Sequence, residues 1–196
     1  MAKDTKQRMI EAAASSLRRR GLMATSFTDV LGVSGAARGA IYHHFPGGKD
    51  ELAHDAVQWT GRRVRDQFAE LDAADAGAVL RGFVELIGPV VHKAAGGASC
   101  AVAAVAVEAT PAQPELTAAA GAALQSWVDA LAGRLRQAGM PSSEARALAQ
   151  LMVAVLEGSL VLARATGHTA AFEDTAQLLL QMAPAPRPQR ASHQLD

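Results

Sequence analysis

The chain has 196 residues, 49% of them hydrophobic, so it can form one large or two small domains with a substantial core. Only 4% of the residues are aromatic, and a core built mainly from Ala, Leu and Val favours helices over sheets. The single cysteine, Cys100, excludes an internal disulfide framework. No signal peptide opens the chain, and Gln150 and Glu157 interrupt its best apolar run, so we expect a soluble cytoplasmic protein that does not enter a membrane.

The net charge is zero, but it is distributed unevenly along the chain. Residues 1–49 contain eight basic and three acidic side chains, a net charge of +5, so the remaining residues carry −5. A basic N-terminal segment is typical of a surface that contacts nucleic-acid phosphates. The run Arg18-Arg19-Arg20 is equally well explained as a solvated helix end, where basic side chains interact with the helix dipole.

Three short helices are expected in this basic segment. Ser26 followed by Asp29 resembles a capping box and predicts a helix start, while Gly21, Gly35 and Pro46 are positioned to end helices. The predicted helices are 5–20, 27–33 and 37–44. Two short helices around a glycine turn, packed on a preceding amphipathic helix, predict a helix-turn-helix domain.

The rest of the chain is also predicted to be helical. Gly88-Pro89 is expected to kink one helix or shift its end, and the segment 100–109 fits a buried helix better than a strand because of its alanines. The predicted helices are 49–71, 78–93, 100–109, 116–138, 144–166 and 170–182. The sequence therefore predicts an all-α fold with a domain at 1–48, a second at 49–183 and a disordered, proline-rich tail at 184–196.

The last two predicted helices carry more apolar surface than one small domain can bury. Residues 144–166 are apolar on nearly every face, which predicts a four-helix bundle formed between two copies of the chain. The residues expected in this homodimer interface are Leu148, Val155, Leu162, Phe172 and Leu179.

The third predicted helix leaves a set of polar residues free to contact DNA. A guanidinium can pair with phosphate or a guanine edge, a glycine permits close approach, and Tyr and His side chains can donate to phosphates. These residues are Arg38, Gly39, Tyr42, His43 and His44. Because His43 and His44 are adjacent on a helix, their side chains diverge, and we expect phosphate contacts rather than a metal site.

The run I-Y-H-H-F-P-G-G-K ending at Lys49 is similar to the end of the DNA-binding signature of TetR-family regulators, and the resemblance covers residues 5–55. It implies phosphate contacts by Tyr42, His44, Lys49 and either Ser26 or Thr25. Ala37 departs from the family pattern, in which Ser or Thr is usual at this position. A less firmly started third helix is therefore expected.

The C-terminal half resembles the ligand-binding domain of LmrA- and YxaF-like TetR regulators, through S-C-A-V-A-A-V-A-V-E, Trp127 and L-E-G-S-L-V-L-A-R-A. The resemblance implies a small, often apolar or aromatic effector within each subunit and a dimer formed through about 144–182. Each expected pocket residue also has a simpler explanation, which is a capping or solvent-facing role for His92 and core packing for the others. This explanation is weakest for Trp127, because aromatic residues are few. The expected pocket residues are Phe83, Ile87, His92, Cys100, Leu124, Trp127, Met152 and Leu156.

Two carboxylates, Glu108 and Glu157, lie in apolar segments, where each needs a partner or access to water. Arg164 or a polar group of a ligand could serve Glu157, and a structural hydrogen bond is the simpler expectation. No phosphate loop, nucleophile elbow or carboxylate pair indicates catalysis, so neither an enzyme nor a cofactor is expected.

The sequence as a whole predicts a homodimeric transcriptional regulator that binds double-stranded operator DNA and a small hydrophobic effector. Repression is the leading interpretation, and activation by the same fold remains open. A helical enzyme or carrier is disfavoured by the missing catalytic residues and the basic N-terminal segment. A nonspecific DNA-coating protein would be distinguished by equal affinity for random and promoter DNA.

Overall fold

The computed structural model describes residues 4–183, which form nine α-helices and no strand. The helices are α1 (Thr5–Ala24), α2 (Phe27–Ser34), α3 (Arg38–His44), α4 (Gly48–Ala69), α5 (Ala76–Ala95), α6 (Ala101–Glu108), α7 (Pro114–Gln137), α8 (Ser142–Thr166) and α9 (Ala170–Gln181). The all-α prediction is confirmed. The predicted tail, 184–196, lies outside the described residues.

The glycine and proline signals were only partly correct. Gly21 does not end α1 but kinks it: φ is 81° and ψ is 178° at Gly21, and the chain then continues helically to Ala24. The next residue, Leu22, is 1% exposed, so burial holds the continued turn against the core. Pro89 lies inside α5 without ending it, because the buried Ile87 and Val91 on either side keep the helix packed on the protein.

Helix α4 connects the first three helices with the rest of the protein. It packs against α1 on one side and against α7 on the other. The α4–α7 crossing is close, since a Cβ atom at Gly61 would lie 2.8 Å from the Cβ of Ala123. Trp127 of α7 donates its indole N–H to the Gly61 carbonyl at 2.9 Å, and its ring packs edge-on against Phe68. The position of α4 is therefore fixed by contacts on two sides.

Helix α8 packs on α7 and α5, and α9 packs on α8 and α5. By length and composition, Ser142–Thr166 is the one helix among residues 4–183 that could cross a membrane, and 44% of its most apolar window is buried inside the protein. Core helices of soluble proteins share these properties.

Candidate DNA interface and ligand cavity

The helix-turn-helix is built by interactions between near neighbours in sequence. The Ser26 hydroxyl accepts the Asp29 backbone N–H at 3.2 Å and donates to the Asp29 carboxylate at 2.7 Å, which caps α2 and lowers the pKa of Asp29. Gly35 ends α2 in the left-handed conformation, with φ of 66°, and donates to the Leu31 carbonyl. Val30 and Ile41 are buried between the helices. The predicted cap and turn are both present.

The residues predicted to contact DNA on α3 lie mostly on its open face. Arg38, Gly39, Tyr42 and His43 are exposed, and His44 is half-buried. The Tyr42 ring packs edge-on against Phe27 of α2, with 6.2 Å between ring centroids, and is still 68% exposed. The Arg38 guanidinium has no ion-pair or hydrogen-bond partner within residues 4–183. This face therefore presents a free cation and an oriented phenol to a partner.

The N-terminus of α3 carries no side-chain cap. Ala37 occupies the N-cap position with extended backbone angles and makes no side-chain hydrogen bond to the first turn. The structure thus agrees with the departure from the family pattern at this position. Without a capping hydroxyl, α3 depends more on the burial of Ile41 and Phe45 for its position.

The structure separates the two alternatives at the start of α2. Thr25 is 5% exposed, and its hydroxyl donates to the Gly21 carbonyl at 2.7 Å, inside the kink of α1. Ser26 is exposed and is therefore the accessible member of the pair. Lys49 is half-buried, and its ammonium donates to the Met23 carbonyl at 3.0 Å, which ties the start of α4 to the end of α1.

The three consecutive arginines have three different environments. Arg19 donates to the Ser15 hydroxyl, and Arg20 lies 3.4 Å from the Asp29 carboxylate of α2. Arg18 lines a cavity between α1, α4 and the C-terminal helices. Neither sequence interpretation of this run, a solvated end or a phosphate-binding cluster, describes all three residues.

A cavity of about 450 Å³ lies where α1 and α4 meet α5, α6, α7 and α8. Four of the predicted pocket residues line it, namely Ile87, Cys100, Trp127 and Leu156. The other four do not: Phe83 and Met152 are fully buried in the core, Leu124 is half-buried elsewhere, and His92 is exposed. Phe83 packs against Phe68, and it is Phe68 that reaches the cavity wall.

Several wall residues were not expected from the sequence. Helix α1 contributes Glu11, Ser15 and Arg18, and α4 contributes Trp59 and Arg63. Helical periodicity shows which face of a helix is apolar but not which helices meet, so it could not reveal a wall shared with α1. The sequence does single out Glu157, another residue of the wall, because a carboxylate in an apolar helix needs a partner or access to water.

The buried Oε1 atom of Glu157 has no hydrogen-bond partner within residues 4–183. The Glu157 side chain interacts with the Cys100 thiol through a hydrogen bond, and it forms no ion pair with Arg164 within residues 4–183. Burial raises the pKa of Glu157, and burial together with the nearby carboxylate raises the pKa of the Cys100 thiol well above its usual value. No group of three or more His, Cys, Asp or Glu side chains in the described part of the chain could hold a metal ion.

Helix α6 joins the cavity to the end of α1. At its N-terminal side, the Ser99 N–H and hydroxyl both donate to the Arg18 carbonyl, at 2.7 and 2.9 Å. At its C-terminal end, the Glu108 carboxylate accepts the Met23 N–H at 2.8 Å. Because Cys100 and Ala101 line the cavity, a displacement of α6 by a bound molecule would act directly on the kinked end of α1.

The outer face of α8 and α9 is apolar and exposed in the single chain. Val161 is 66% exposed, Leu178 61% and Met182 53%, and a Cβ at Gly158 would meet no atom within 4 Å. Of the residues predicted for the interface, Leu162 is 47% exposed on this face and Val155 is half-buried. Leu148, Phe172 and Leu179 point inwards, where they attach α8 and α9 to the protomer core.

Two family models match the sequence: bacterial regulatory proteins of the tetR family over residues 9–56, and the C-terminal domain of LmrA/YxaF-like transcriptional regulators over residues 76–178. An uncharacterized HTH-type transcriptional regulator of Mycobacterium tuberculosis is 36% identical, covering 81% of this chain and 84% of its own. The HTH-type transcriptional regulator LmrA of Bacillus subtilis is 26% identical, covering 81% and 86%. Among solved structures, a TetR transcriptional regulator of Legionella pneumophila superposes with a TM-score of 0.81 at 20% identity, covering 93% and 99%.

Proposed function

The chain belongs to the TetR family of bacterial transcriptional regulators, and we propose that it is a repressor whose homodimer leaves its operator when a small hydrophobic effector binds. The observation that carries the proposal is the shared wall of the cavity. Glu11, Ser15 and Arg18 belong to α1, which supports the helix-turn-helix, while Ile87 and Leu156 belong to the C-terminal helices. A molecule in this cavity touches both parts of the protein.

In this proposal, residues 1–48 bind DNA and residues 49–183 bind the effector and form the dimer. Helix α3 enters the major groove with Arg38 and Gly39 towards the bases, and Ser26, Tyr42, His43, His44 and Lys49 contribute phosphate contacts. The DNA-binding domains of the two chains, called the heads from here on, are related by the dimer axis. They reach successive major grooves about 34–36 Å apart. A protein with this function acts on chromosomal DNA in the cytoplasm. The proposal includes no enzymatic reaction in the cavity.

Dimerisation through α8 and α9 gives the exposed apolar face its partner. The face carries Leu151, Val161 and Leu162 on α8 and Leu178 on α9. Gly158 on this face permits close approach of a second helix pair, because it has no side chain and the space around its Cα is open. Repression requires only that the dimer occupies promoter DNA, so this interface and the two heads are sufficient for it.

Effector release follows from a population shift between two positions of the heads. A molecule between α1 and α6 favours a conformer in which the Ser99 and Glu108 contacts are rearranged and α4 is tilted. The head separation then no longer matches the groove repeat. Such coupling is typically worth about 1–3 kcal/mol, roughly a 5- to 150-fold loss of operator affinity.

The test is footprinting on the DNA upstream of the protein's own gene, followed by titration of a panel of planar hydrophobic compounds. Random DNA of equal length and salt concentration is the control, because phosphate contacts alone give sequence-independent binding. Equal affinity for both DNAs would contradict operator recognition. Transcription from the footprinted promoter, with and without protein, distinguishes repression from activation.

A further inference from the structure

The cavity wall combines a large apolar surface with two separate kinds of charge. Its apolar part is formed by aromatic and aliphatic side chains that include Phe68, Trp127 and Leu156. A volume of about 450 Å³ lies within the range of small-molecule sites. The charged residues in the cavity wall therefore determine which apolar molecules bind.

Three different helices each bring one cation to the wall. These are Arg18 of α1, Arg63 of α4 and Lys93 of α5, and none of them has an ion-pair partner within residues 4–183. Arg63 lies over the Trp59 ring, 5.7 Å from its centroid. Glu11 is the acidic residue nearby on α1, and it accepts a hydrogen bond from Gln7. The excess of positive charge favours an anionic group and disfavours an amine.

The second charge is Glu157, which is not paired with any of these cations. Its Oε1 atom is buried without a hydrogen-bond partner in the described part of the chain, although the side chain lines the cavity. A buried acceptor without a donor is costly, and the cost disappears when a bound molecule supplies an O–H or N–H group. A ligand that supplies this donor would explain why a carboxylate lies in the cavity wall.

We infer that the effector is an amphipathic acid: an apolar body packed against Trp127, an anionic group held by Arg18, Arg63 and Lys93, and a hydroxyl or amide N–H that donates to Glu157. The inference rests on the proposed function, because it specifies the molecule that the cavity takes. It divides the recognition among three groups of residues that can be altered independently.

The test is calorimetric titration of the full-length protein with four probes: biphenyl-4-carboxylate, 4′-hydroxybiphenyl-4-carboxylate, 4-hydroxybiphenyl and biphenyl-4-methylamine. The hydroxy acid is expected to bind about tenfold more tightly than the plain acid, the gain from one hydrogen bond to a carboxylate. The amine is expected to bind most weakly. Equal affinities of the acid and the amine, or no advantage of the hydroxyl, would overturn the inference.

Two variants assign the effects to residues. In Glu157→Leu, the advantage of the hydroxyl should disappear while the preference for the acid over the amine remains. In the double variant Arg63→Gln/Lys93→Gln, the preference for the acid should fall while the advantage of the hydroxyl remains. The exposed Glu85 lies outside the cavity wall, so Glu85→Leu is the matched control and should bind all probes as the parent does.

Thermal unfolding of the unliganded protein provides a second readout for Glu157. Removing an unpaired buried carboxylate should raise the melting temperature, whereas a residue with a structural role would lower it on removal. A lower melting temperature of Glu157→Leu would therefore contradict the inference. Failure of every probe to bind, with operator binding intact, overturns the inference but not DNA recognition. Probe binding that leaves operator affinity unchanged contradicts effector release and leaves the cavity chemistry standing.

Discussion

Gly21→Ala tests whether the kink of α1 holds the DNA-binding helices in place. The backbone at Gly21, with φ of 81° and ψ of 178°, lies in a region that side chains other than glycine rarely adopt. An added Cβ would also overlap the Glu108 carboxylate, which binds the Met23 N–H. Alanine therefore strains the backbone and displaces the contact between α1 and α6 at the same time.

The expected loss of stability can be added from its parts. The backbone strain costs about 1–3 kcal/mol. The displaced hydrogen bond lies at the surface and adds about 1 kcal/mol. A total near 3 kcal/mol lowers the melting temperature of a chain of this length by about 6–12 °C.

The assay is thermal unfolding of parent and variant at one fixed concentration, because the stability of a dimer depends on concentration. Gly121→Ala is the control, since this helical glycine has no atom within 4 Å of an added Cβ and alanine should stabilise α7 by up to about 1 kcal/mol. Adding Glu108→Ala to Gly21→Ala should cost little further stability, because the Met23–Glu108 hydrogen bond is already displaced in Gly21→Ala and the backbone strain remains. A melting temperature of Gly21→Ala within about 2 °C of the parent's would refute the reasoning.

Two further predictions concern DNA and the dimer. Tyr42→Phe should weaken binding to all DNA sequences alike. Arg38→Ala should reduce the binding free energy by about 1–3 kcal/mol through one base position, if Arg38 reads a guanine there. Binding competitions with single-base operator variants distinguish the two patterns. Val161→Glu places a charge on the exposed apolar face of α8 and should shift sedimentation from dimer to monomer and abolish the operator footprint. A variant that remained dimeric at micromolar concentration would show that this face is not the interface.

The helix-turn-helix was predictable because its determinants are local. Ser26 caps α2 through a residue three positions away, and Gly35 ends the helix by its own backbone conformation. Such interactions can be identified in one short segment of sequence. The same local rule was misleading at Gly21, because a glycine in a helical pattern indicates an interruption without distinguishing an end from a kink. The turn beyond the kink is held by the burial of Leu22 and by the Glu108 carboxylate, which accepts the Met23 N–H and lies far away in sequence.

The cavity was predictable only in part, for a related reason. Ile87, Cys100, Trp127 and Leu156 were expected from inward faces, and they do line it. The full burial of Met152 and the participation of α1 depend on how helices are arranged around one another, which periodicity within each helix does not contain. The same limit applies to the residues predicted for the interface, because the sequence shows that α8 is apolar all round but does not separate its inward face from its outward face.

The contacts between α6 and α1 also set the energy that an effector has to offset. A ligand changes operator affinity only by the difference between its interactions in the two head positions. If displacement of α6 breaks the bonds from Ser99 to the Arg18 carbonyl and from Met23 to Glu108, the energy at stake is roughly 2–4 kcal/mol. Because each 1.4 kcal/mol is about a tenfold change, an effector offsets this energy only if it binds the displaced state roughly 30- to 1,000-fold more tightly than the undisplaced state. Glu108→Gln, which weakens the contact with the Met23 N–H, should reduce operator affinity in the absence of effector. It should also reduce the further loss of affinity that an effector causes. The same contacts between α6 and α1 would then determine both the position of the heads and its response to the effector.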